Sequence, residues 1–288
     1  MNLLGIDAGT SGVKVVMFSS DGEELCSSYR EYSEIHPRNG WAELDAELVW
    51  QAIKETIYHV GLHPEAENIG ALSISSMGEA VIPVSADRKI LSNSILHYDL
   101  RGEEFLENLS KTIDDQRLYL LNGNTLGNHY TLTKLLWIKK YQPELYQETE
   151  KFLHWSGFIA FMLGADAAVD YSLANRTLLF DLEREDWSEE LIDIVGLDRR
   201  KLPRVVPSGT VIGRISTDLA QSLNLPEDIV IVSGAHDQCA NAVGCGVIEK
   251  GNAVFGMGTF LCITPVFSER SAIDQMIENG LNTEHHAV

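Results

Sequence analysis

The sequence predicts an α/β fold in which a mixed β-sheet is flanked by helices. Three features of the 288 residues lead to this prediction. Two hydrophobic strands surround a glycine-rich turn in residues 3–18, a helix of amphipathic spacing follows at 45–60, and apolar strands recur at 69–75 and 228–232. Strands that alternate with helices in this way are typical of a sheet covered by helices.

The first elements after the opening turn continue an antiparallel meander. Ser20-Asp21-Gly22 is a hairpin signal, and residues 24–29 are expected to return as a third strand. Asp45 is suited to capping the first helix, and Gly61 to ending it. The apolar positions expected on the core face of this helix are Leu48, Val49, Ala52, Ile53, Ile57 and Val60.

The rest of the chain alternates shorter strands and helices. Short strands are expected at 80–84 and 89–96, and helices at 131–141, 155–163 and 188–195. The first of these helices should stop before Pro143. Residues 252–266 repeat the opening pattern of strand, glycine turn and strand, so we expect one domain over residues 1–245 and the truncated start of a second, related domain over 246–288.

Composition excludes several classes of function. The formal net charge of −20 argues against nucleic acids and anionic membranes as partners. The sequence has no signal-peptide pattern and no apolar run long enough to cross a bilayer, which predicts a cytoplasmic location without a membrane partner. The four cysteines lack the spacing of a zinc site and are expected to be free thiols.

The first glycine turn is a candidate phosphate-binding site. Gly9, Thr10, Ser11 and Gly12 stand where the backbone turns sharply and exposes N–H groups, and two hydroxyls add donors. Asp7, at the end of the preceding strand, is suited to holding a metal ion through water. The alternative is an ordinary β-hairpin without a ligand.

Eight segments, taken together, form a recognisable series along the chain: LLGIDAGTSGVKVVMF, GWAELDAELVW, SSMGEA, ILHYDLRG, TLTKLLWIKK, VDYSLANRTLLFDL, SGAHDQCANAVGCG and VFGMGTF. In sequence, order and spacing this series resembles the FGGY carbohydrate kinases, with their xylulokinase and glycerol kinase branches. The resemblance implies a ribonuclease H-like fold of the actin, sugar kinase and Hsp70 superfamily, duplicated around a cleft. It also implies transfer of a phosphoryl group from ATP, with Mg²⁺, to a hydroxyl of a small sugar, ketose or polyol.

By this resemblance, Asp237 in the segment GAHDQ is the general base that takes the proton of the substrate hydroxyl. The alternative is that Asp237 caps a helix, a position at which aspartate is common. His236 stands where the family has glycine or another small residue. It is expected either to line the pocket or to be structural.

Five further residues are expected to bind the sugar by the same resemblance. Asp99 and Arg101, in HYDLR, match an Asp-x-Arg segment that faces the sugar, and the alternative is a surface ion pair. Met77 and Glu79 follow a strand end that contacts substrate in the family, although Gly78 replaces a polar residue there. His129 falls near a substrate-contacting aromatic, or caps the helix that follows.

The phosphates of ATP are expected to contact both glycine hairpins. In the first hairpin these contacts include Lys14 as well as the turn itself. In the second hairpin Gly258 and Thr259 match the family's phosphate loop, whereas Phe260 replaces the usual serine.

Full-length members of this family continue well past residue 288. The chain is therefore expected to be an incomplete form that is inactive alone, and to need the other half of the second domain in the same or another polypeptide. The alternative is a non-catalytic sugar-binding or regulatory module derived from such a kinase. Apolar residues of the second hairpin, such as Phe255, Phe260 and Leu261, are expected to be exposed and to favour homo-oligomers.

Overall fold

The computed structural model describes residues 1–257, 261–270 and 272–288. The strands in these residues are β1 Asn2–Ala8, β2 Gly12–Phe18, β3 Glu24–Glu31, β4 Glu43–Leu44, β5 Ile69–Ser76, β6 Val81–Val84, β7 Ser94–Ile95, β8 Lys151–His154, β9 Ala168–Asp170, β10 Phe180–Asp181, β11 Asp186–Trp187, β12 Arg204–Val206, β13 Val211–Arg214, β14 Val230–His236, β15 Ala253–Met257 and β16 Leu261–Pro265.

The helices in the same residues are α1 Ala46–Gly61, α2 Leu106–Thr112, α3 Asp115–Asn122, α4 Thr131–Tyr141, α5 Pro143–Glu148, α6 Trp155–Leu163, α7 Tyr171–Asn175, α8 Glu189–Val195, α9 Thr217–Ser222, α10 Asp237–Gly244 and α11 Ile273–Glu278. Short 3-10 helices occur at Pro64–Asn68, Glu103–Phe105 and Arg199–Lys201. No helix in the described ranges has both the length and the apolar character needed to cross a membrane.

A six-stranded mixed sheet organises the fold, in the order β13-β14-β5-β1-β2-β3. Strands β1, β5 and β14 are parallel, whereas β2, β3 and β13 join the sheet by antiparallel pairing. Helices α1 and α6 pack on one face and share a hydrophobic core with it, and α10 lies against the other face. The predicted sheet flanked by helices is confirmed.

Helix α1 shows how local signals set an element and how packing refines it. The side chain of Asp45 accepts a hydrogen bond from the backbone N–H of Leu48 at 2.9 Å, and the helix ends at Gly61, both as predicted. The expected core position of Leu48 is wrong, because this side chain is 53% exposed. The buried stripe runs through Val49, Ile53 and neighbouring turns, and Leu48 lies on its flank.

The other predicted elements differ mainly in their lengths. Helices α4 and α6 have the predicted limits, and α8 starts one residue after its cap, Ser188. Residues 89–96 were expected to form one strand, but they form only the two residues of β7 and an isolated bridge at Ile90. The reason is that β7 pairs with β4, which has only two residues, so the ladder between them is short.

The last part of the chain packs back onto the domain. Strands β15 and β16 pair antiparallel, as predicted, and Gly258, Thr259 and Phe260 lie outside the described residues. Phe255 and Leu261 are exposed. Residues 281–288 lie along the domain. At the start of this segment, the backbone carbonyl of Leu281 accepts a hydrogen bond from the hydroxyl of Tyr119 at 3.0 Å. The boundary at residue 245 stays a prediction.

Candidate active site

The parallel strands β1, β5 and β14 end side by side. Ala8 and His236 both lie opposite Ser76 in the pairing of these strands. Asp7 is exposed near the end of β1, and its Oδ1 accepts a hydrogen bond from the Oγ of Ser75 at 2.7 Å. The carboxyl ends of parallel strands are the usual place for ligand-binding groups in α/β proteins, so this edge is the candidate site.

The first glycine turn closes one end of this edge. The N–H of Gly9 donates to the carbonyl of Gly12 at 3.0 Å. The hydroxyl of Tyr32 lies within hydrogen-bond distance of both carbonyl oxygens, 2.6 Å from Gly9 and 3.0 Å from Gly12. Tyr32, which directly follows β3, therefore fixes the base of the turn, and Thr10 and Ser11 form its tip.

An open groove of about 560 Å³ runs along the sheet beside the turn. Asp7 and Lys14 line it and lie opposite each other in the pairing of β1 with β2. The remaining lining is mostly small and aliphatic, from β1, β2, β5, β14 and α10, together with residues 208–209 and the last two residues of the chain. Asp237 and Glu79 do not line this groove, so the polar residues of the strand ends form a separate region.

Asp237 is the first residue of α10 and follows β14 directly. The cap position belongs to His236, whose side chain makes no capping hydrogen bond, so the structure does not bear out the alternative that Asp237 is the cap. Burial raises the pKa of the Asp237 carboxyl, His236 opposes this effect, and the charge of Asp7 adds to it. Its side chain retains 36% exposure, so the carboxylate is accessible to a ligand.

His236 connects Asp237 to the last segment of the chain. Its Nε2 lies 3.2 Å from Oδ1 of Asp237, and its Nδ1 lies 2.8 Å from Oε2 of Glu284. Burial by itself lowers the pKa of this imidazole, but the two carboxylates outweigh burial and raise the pKa to about 9. His236 is therefore an imidazolium at neutral pH.

Arg176 extends this contact into a row of alternating charges. Its Nη1 lies 2.8 Å from Oε1 of Glu284, and its Nε donates to Oε1 of Glu79 at 2.8 Å. Burial opposes ionisation of both carboxyls, yet their cationic neighbours lower the pKa of Glu79 and bring that of Glu284 to about 2. We call this row the charged chain; its members are Glu79, Arg176, Glu284, His236 and Asp237.

Asp99 and Arg101 lie beneath the surface. Oδ1 of Asp99 accepts hydrogen bonds from the backbone N–H and the Nε of Arg101, at 2.7 and 2.9 Å, and Oδ2 accepts from the N–H of Ala42 at 2.6 Å. The guanidinium also contacts Glu43 at 2.7 Å and stacks on the ring of Trp41. The pair is buried, not at the surface as the alternative held, and its contact with a sugar stays a prediction.

The two other predicted sugar-binding residues occupy different environments. His129 lies close to the charged chain and keeps part of its surface in solvent. Burial of the rest of the side chain lowers its pKa, with Glu79 opposing and Arg176 reinforcing this effect. Met77 is 6% exposed and belongs to the core around the sheet. The structure thus brings Glu79 and His129 together with Asp237, whereas Met77 lies below them.

Sequence reasoning missed Arg176 and Glu284. Arg176 stands inside the segment VDYSLANRTLLFDL, so the resemblance pointed to its surroundings but not to its role. Glu284 follows α11 in a stretch without periodicity, and its partners Arg176 and His236 precede it by 108 and 48 residues. No local signal indicates such a pairing.

Metal binding by Asp7 stays a prediction. A carboxylate at an exposed strand end supplies the oxygen ligand that Mg²⁺ prefers, and the nearby charge of Asp237 makes the region suitable for a cation. Ligand-type atoms of His236, Cys239 and Glu284 also lie within 4.8 Å of one another. Here, however, Arg176 and His236 already pair with the carboxylate of Glu284, so we assign this group to the charged chain.

Comparison with known proteins identifies the family to which the chain is similar. The N-terminal domain of the FGGY family of carbohydrate kinases matches residues 2–244. The xylulose kinase of Klebsiella pneumoniae is 28% identical over 256 residues, which cover 89% of this chain and 52% of that protein. The gluconokinase of Bacillus subtilis (strain 168) is 28% identical over 258 residues, covering 89% of this chain and 50% of that protein.

Solved structures show the same fold. The ligand-bound xylulose kinase from Lactobacillus acidophilus superposes with a TM-score of 0.84 at 26% identity, covering 91% of this chain and 53% of that one. This similarity confirms the predicted actin-like, ribonuclease H-like class. The chain spans about half the length of the curated relatives that it matches.

Proposed function

The chain belongs to the FGGY family of carbohydrate kinases, and we propose that the protein transfers the γ-phosphoryl group of ATP to a hydroxyl of a small sugar, ketose or polyol. The relatives named above are kinases of xylulose and gluconate, which supports a substrate of this size and polarity. They do not favour a non-catalytic module.

The position of Asp237 is the observation that carries the proposal. Its carboxylate stands at the start of α10, partly exposed, on the same edge of the sheet as Asp7 and the glycine turn. In the proposed reaction this carboxylate accepts the proton of the substrate hydroxyl as the oxygen forms a bond to the γ-phosphorus. The bond from that phosphorus to the bridging oxygen breaks, and ADP leaves.

Glu79 and His129 are proposed to orient the sugar. Glu79 belongs to the charged chain and His129 lies beside it, and together they offer an acceptor and a nitrogen that exchanges hydrogen bonds with hydroxyl groups. Holding the substrate in the geometry of attack accounts for much of the rate in phosphoryl transfer. The buried Asp99–Arg101 pair is proposed to support this wall of the site.

The glycine turn and Lys14 are proposed to bind phosphate oxygens, together with Gly258 and Thr259. Asp7 is proposed to hold Mg²⁺ through water, and the bound ion would neutralise charge on the transferred phosphoryl group. Members of this family use ATP, normally with Mg²⁺. Because the chain spans about half the length of its relatives, we propose the activity for the whole protein, with further residues of the same or another polypeptide completing the nucleotide site.

A substrate panel tests the proposal. ADP release from Mg²⁺ and ATP is measured with xylulose, gluconate and glycerol, using the whole protein, and product is identified by mass spectrometry. We expect phosphorylation of at least one member. Asp237→Asn should lower kcat by about 10²- to 10⁴-fold and leave KM for the sugar nearly unchanged, because the base acts only on the proton in transfer.

Asp218→Asn is the matched control. Asp218 also lies in the first turn of a short helix, α9, but it is exposed and distant in the fold from the strand ends. This variant should keep full activity. A kcat of Asp237→Asn within a few-fold of the unmodified protein would show that another group is the base.

A further inference from the structure

We propose that His236 is a positioning residue for the candidate base, and that its imidazolium, held by Glu284 on one side, fixes the carboxylate of Asp237 on the other. The proposal deepens the proposed function, because it rests on Asp237 being the base. It adds two residues, His236 and Glu284, to the machinery of the site.

The imidazole is fixed from several directions. Nδ1 contacts Oε2 of Glu284 at 2.8 Å, and Nε2 contacts Oδ1 of Asp237 at 3.2 Å, so both ring nitrogens have a carboxylate partner. The backbone N–H of His236 donates to Oγ of Ser172 at 2.9 Å, which holds the end of β14. A ring with both nitrogens engaged has one orientation, and it transmits that orientation to Asp237.

Gly78 provides the space that the imidazole occupies. A Cβ at this position would lie 3.0 Å from Nε2 and 3.3 Å from Cδ2 of His236, and 3.4 Å from Cγ of Arg176. The backbone of Gly78 is not in the left-handed region, so the need for glycine comes from space alone. Gly78 and His236 therefore fit each other, and a side chain at 78 would push the ring away from Asp237.

The charges around His236 determine its protonation and that of Asp237. Two adjacent carboxylates favour the imidazolium more strongly than burial and the nearest cation disfavour it. The imidazolium in turn opposes the rise that burial imposes on the pKa of Asp237. The titratable and charged groups that face His236 from the surrounding elements are Glu284, Asp237, Cys239, Arg176, Glu79, Asp170 and His154.

Carboxyl ¹³C titration by NMR tests the positioning without any turnover. The 288-residue chain is labelled at aspartate, and the signal of Asp237 is identified by its loss in Asp237→Asn. In His236→Asn, which keeps a donor near the Nδ1 position and loses the group facing Asp237, the pKa of Asp237 should rise by about one pH unit or more. In His236→Gln, which keeps a neutral donor near the Nε2 position, the rise should be smaller.

A second variant leaves the histidine in place. Gly78→Ala should displace the ring and so raise the pKa of Asp237, as His236→Asn does. In the His236→Asn background, Gly78→Ala should cause no further change in that pKa.

Glu284→Gln should lower the pKa of His236, which is measured from the ¹⁵N signals of the imidazole, whereas Glu278→Gln on α11 should leave that pKa unchanged. His59→Gln, on the distant face of α1, is the matched control for loss of a histidine.

The results separate this proposal from the proposed function. An unchanged pKa of Asp237 in both His236→Asn and Gly78→Ala, with native circular dichroism, would overturn the positioning role. If the titrations behave as expected but Asp237→Asn retains kcat in the whole protein, the contact between His236 and Asp237 stands and the assignment of Asp237 as base fails.

Discussion

Replacing Arg101 with alanine should lower the free energy of unfolding by about 3 to 5 kcal/mol, the usual cost of breaking a buried ion pair. The side chain of Arg101 is 4% exposed, that of Asp99 is fully buried and that of Glu43 is 12% exposed. Nη1 contacts Glu43 at 2.7 Å and Nη2 contacts Asp99 at 2.6 Å. The variant leaves both carboxylates in the interior without their cation, and this uncompensated burial is the source of the loss.

Equilibrium unfolding in urea, followed by tryptophan fluorescence, measures this loss. The guanidinium of Arg101 lies 4.0 Å from the ring of Trp41 and 5.1 Å from that of Trp137, so the probe reports on the same region. Arg200→Ala is the matched control. Arg200 forms the same Asp-x-Arg pairing with Asp198, at 3.0 and 2.9 Å, but on the surface, and its loss should leave the urea midpoint unchanged.

The same experiment decides between a structural and a ligand-binding role for the pair. If Arg101→Ala unfolds at the same urea concentration as the unmodified chain, the pair does not stabilise the fold and the reasoning from burial is wrong. A variant with normal stability and weakened sugar binding would instead place Asp99 and Arg101 at the substrate.

Two further predictions concern stability. Gly234→Ala should destabilise the protein severely, because a Cβ there would lie 1.7 Å from the carbonyl oxygen of Ile74 in the neighbouring strand. Gly244→Ala is the control and should be tolerated, because a Cβ at that position would meet no atom within 4 Å. Thermal melting of both variants checks this prediction, and equal melting temperatures would contradict it. The pKa of His236 is about 9 in the fold and 6.5 without its partners, so its contribution to stability is complete below pH 6.5 and is lost as pH rises to about 9. Urea midpoints at pH 6, 7.5 and 9 should therefore fall more in the unmodified chain than in His236→Asn, and parallel declines would refute the assignment of His236 as an imidazolium.

Much of the fold was predictable because its signals are local. The turn at Gly9–Gly12, the cap at Asp45 and the limits of α4 follow from residues within one or two turns of each other. The exposure of Leu48 was not predictable, since it depends on which side of α1 meets the sheet. The shortness of β7 was not predictable either, because it depends on the partner strand β4, which has only two residues and lies about 50 positions earlier in the chain.

The candidate site divides in the same way. By itself the sequence determined that the glycine turn, Asp7 and Asp237 stand at strand ends, because each is recognisable from the residues beside it, whereas the role of Asp237 as base came only from the family resemblance and stays a prediction. Only the tertiary structure decided that Asp99 is buried and that Glu284 meets His236 and Arg176. What a charged residue does in a site depends on the charged partners that folding brings next to it. Here those partners are many residues apart in the sequence, and local sequence patterns do not indicate contacts at such separations.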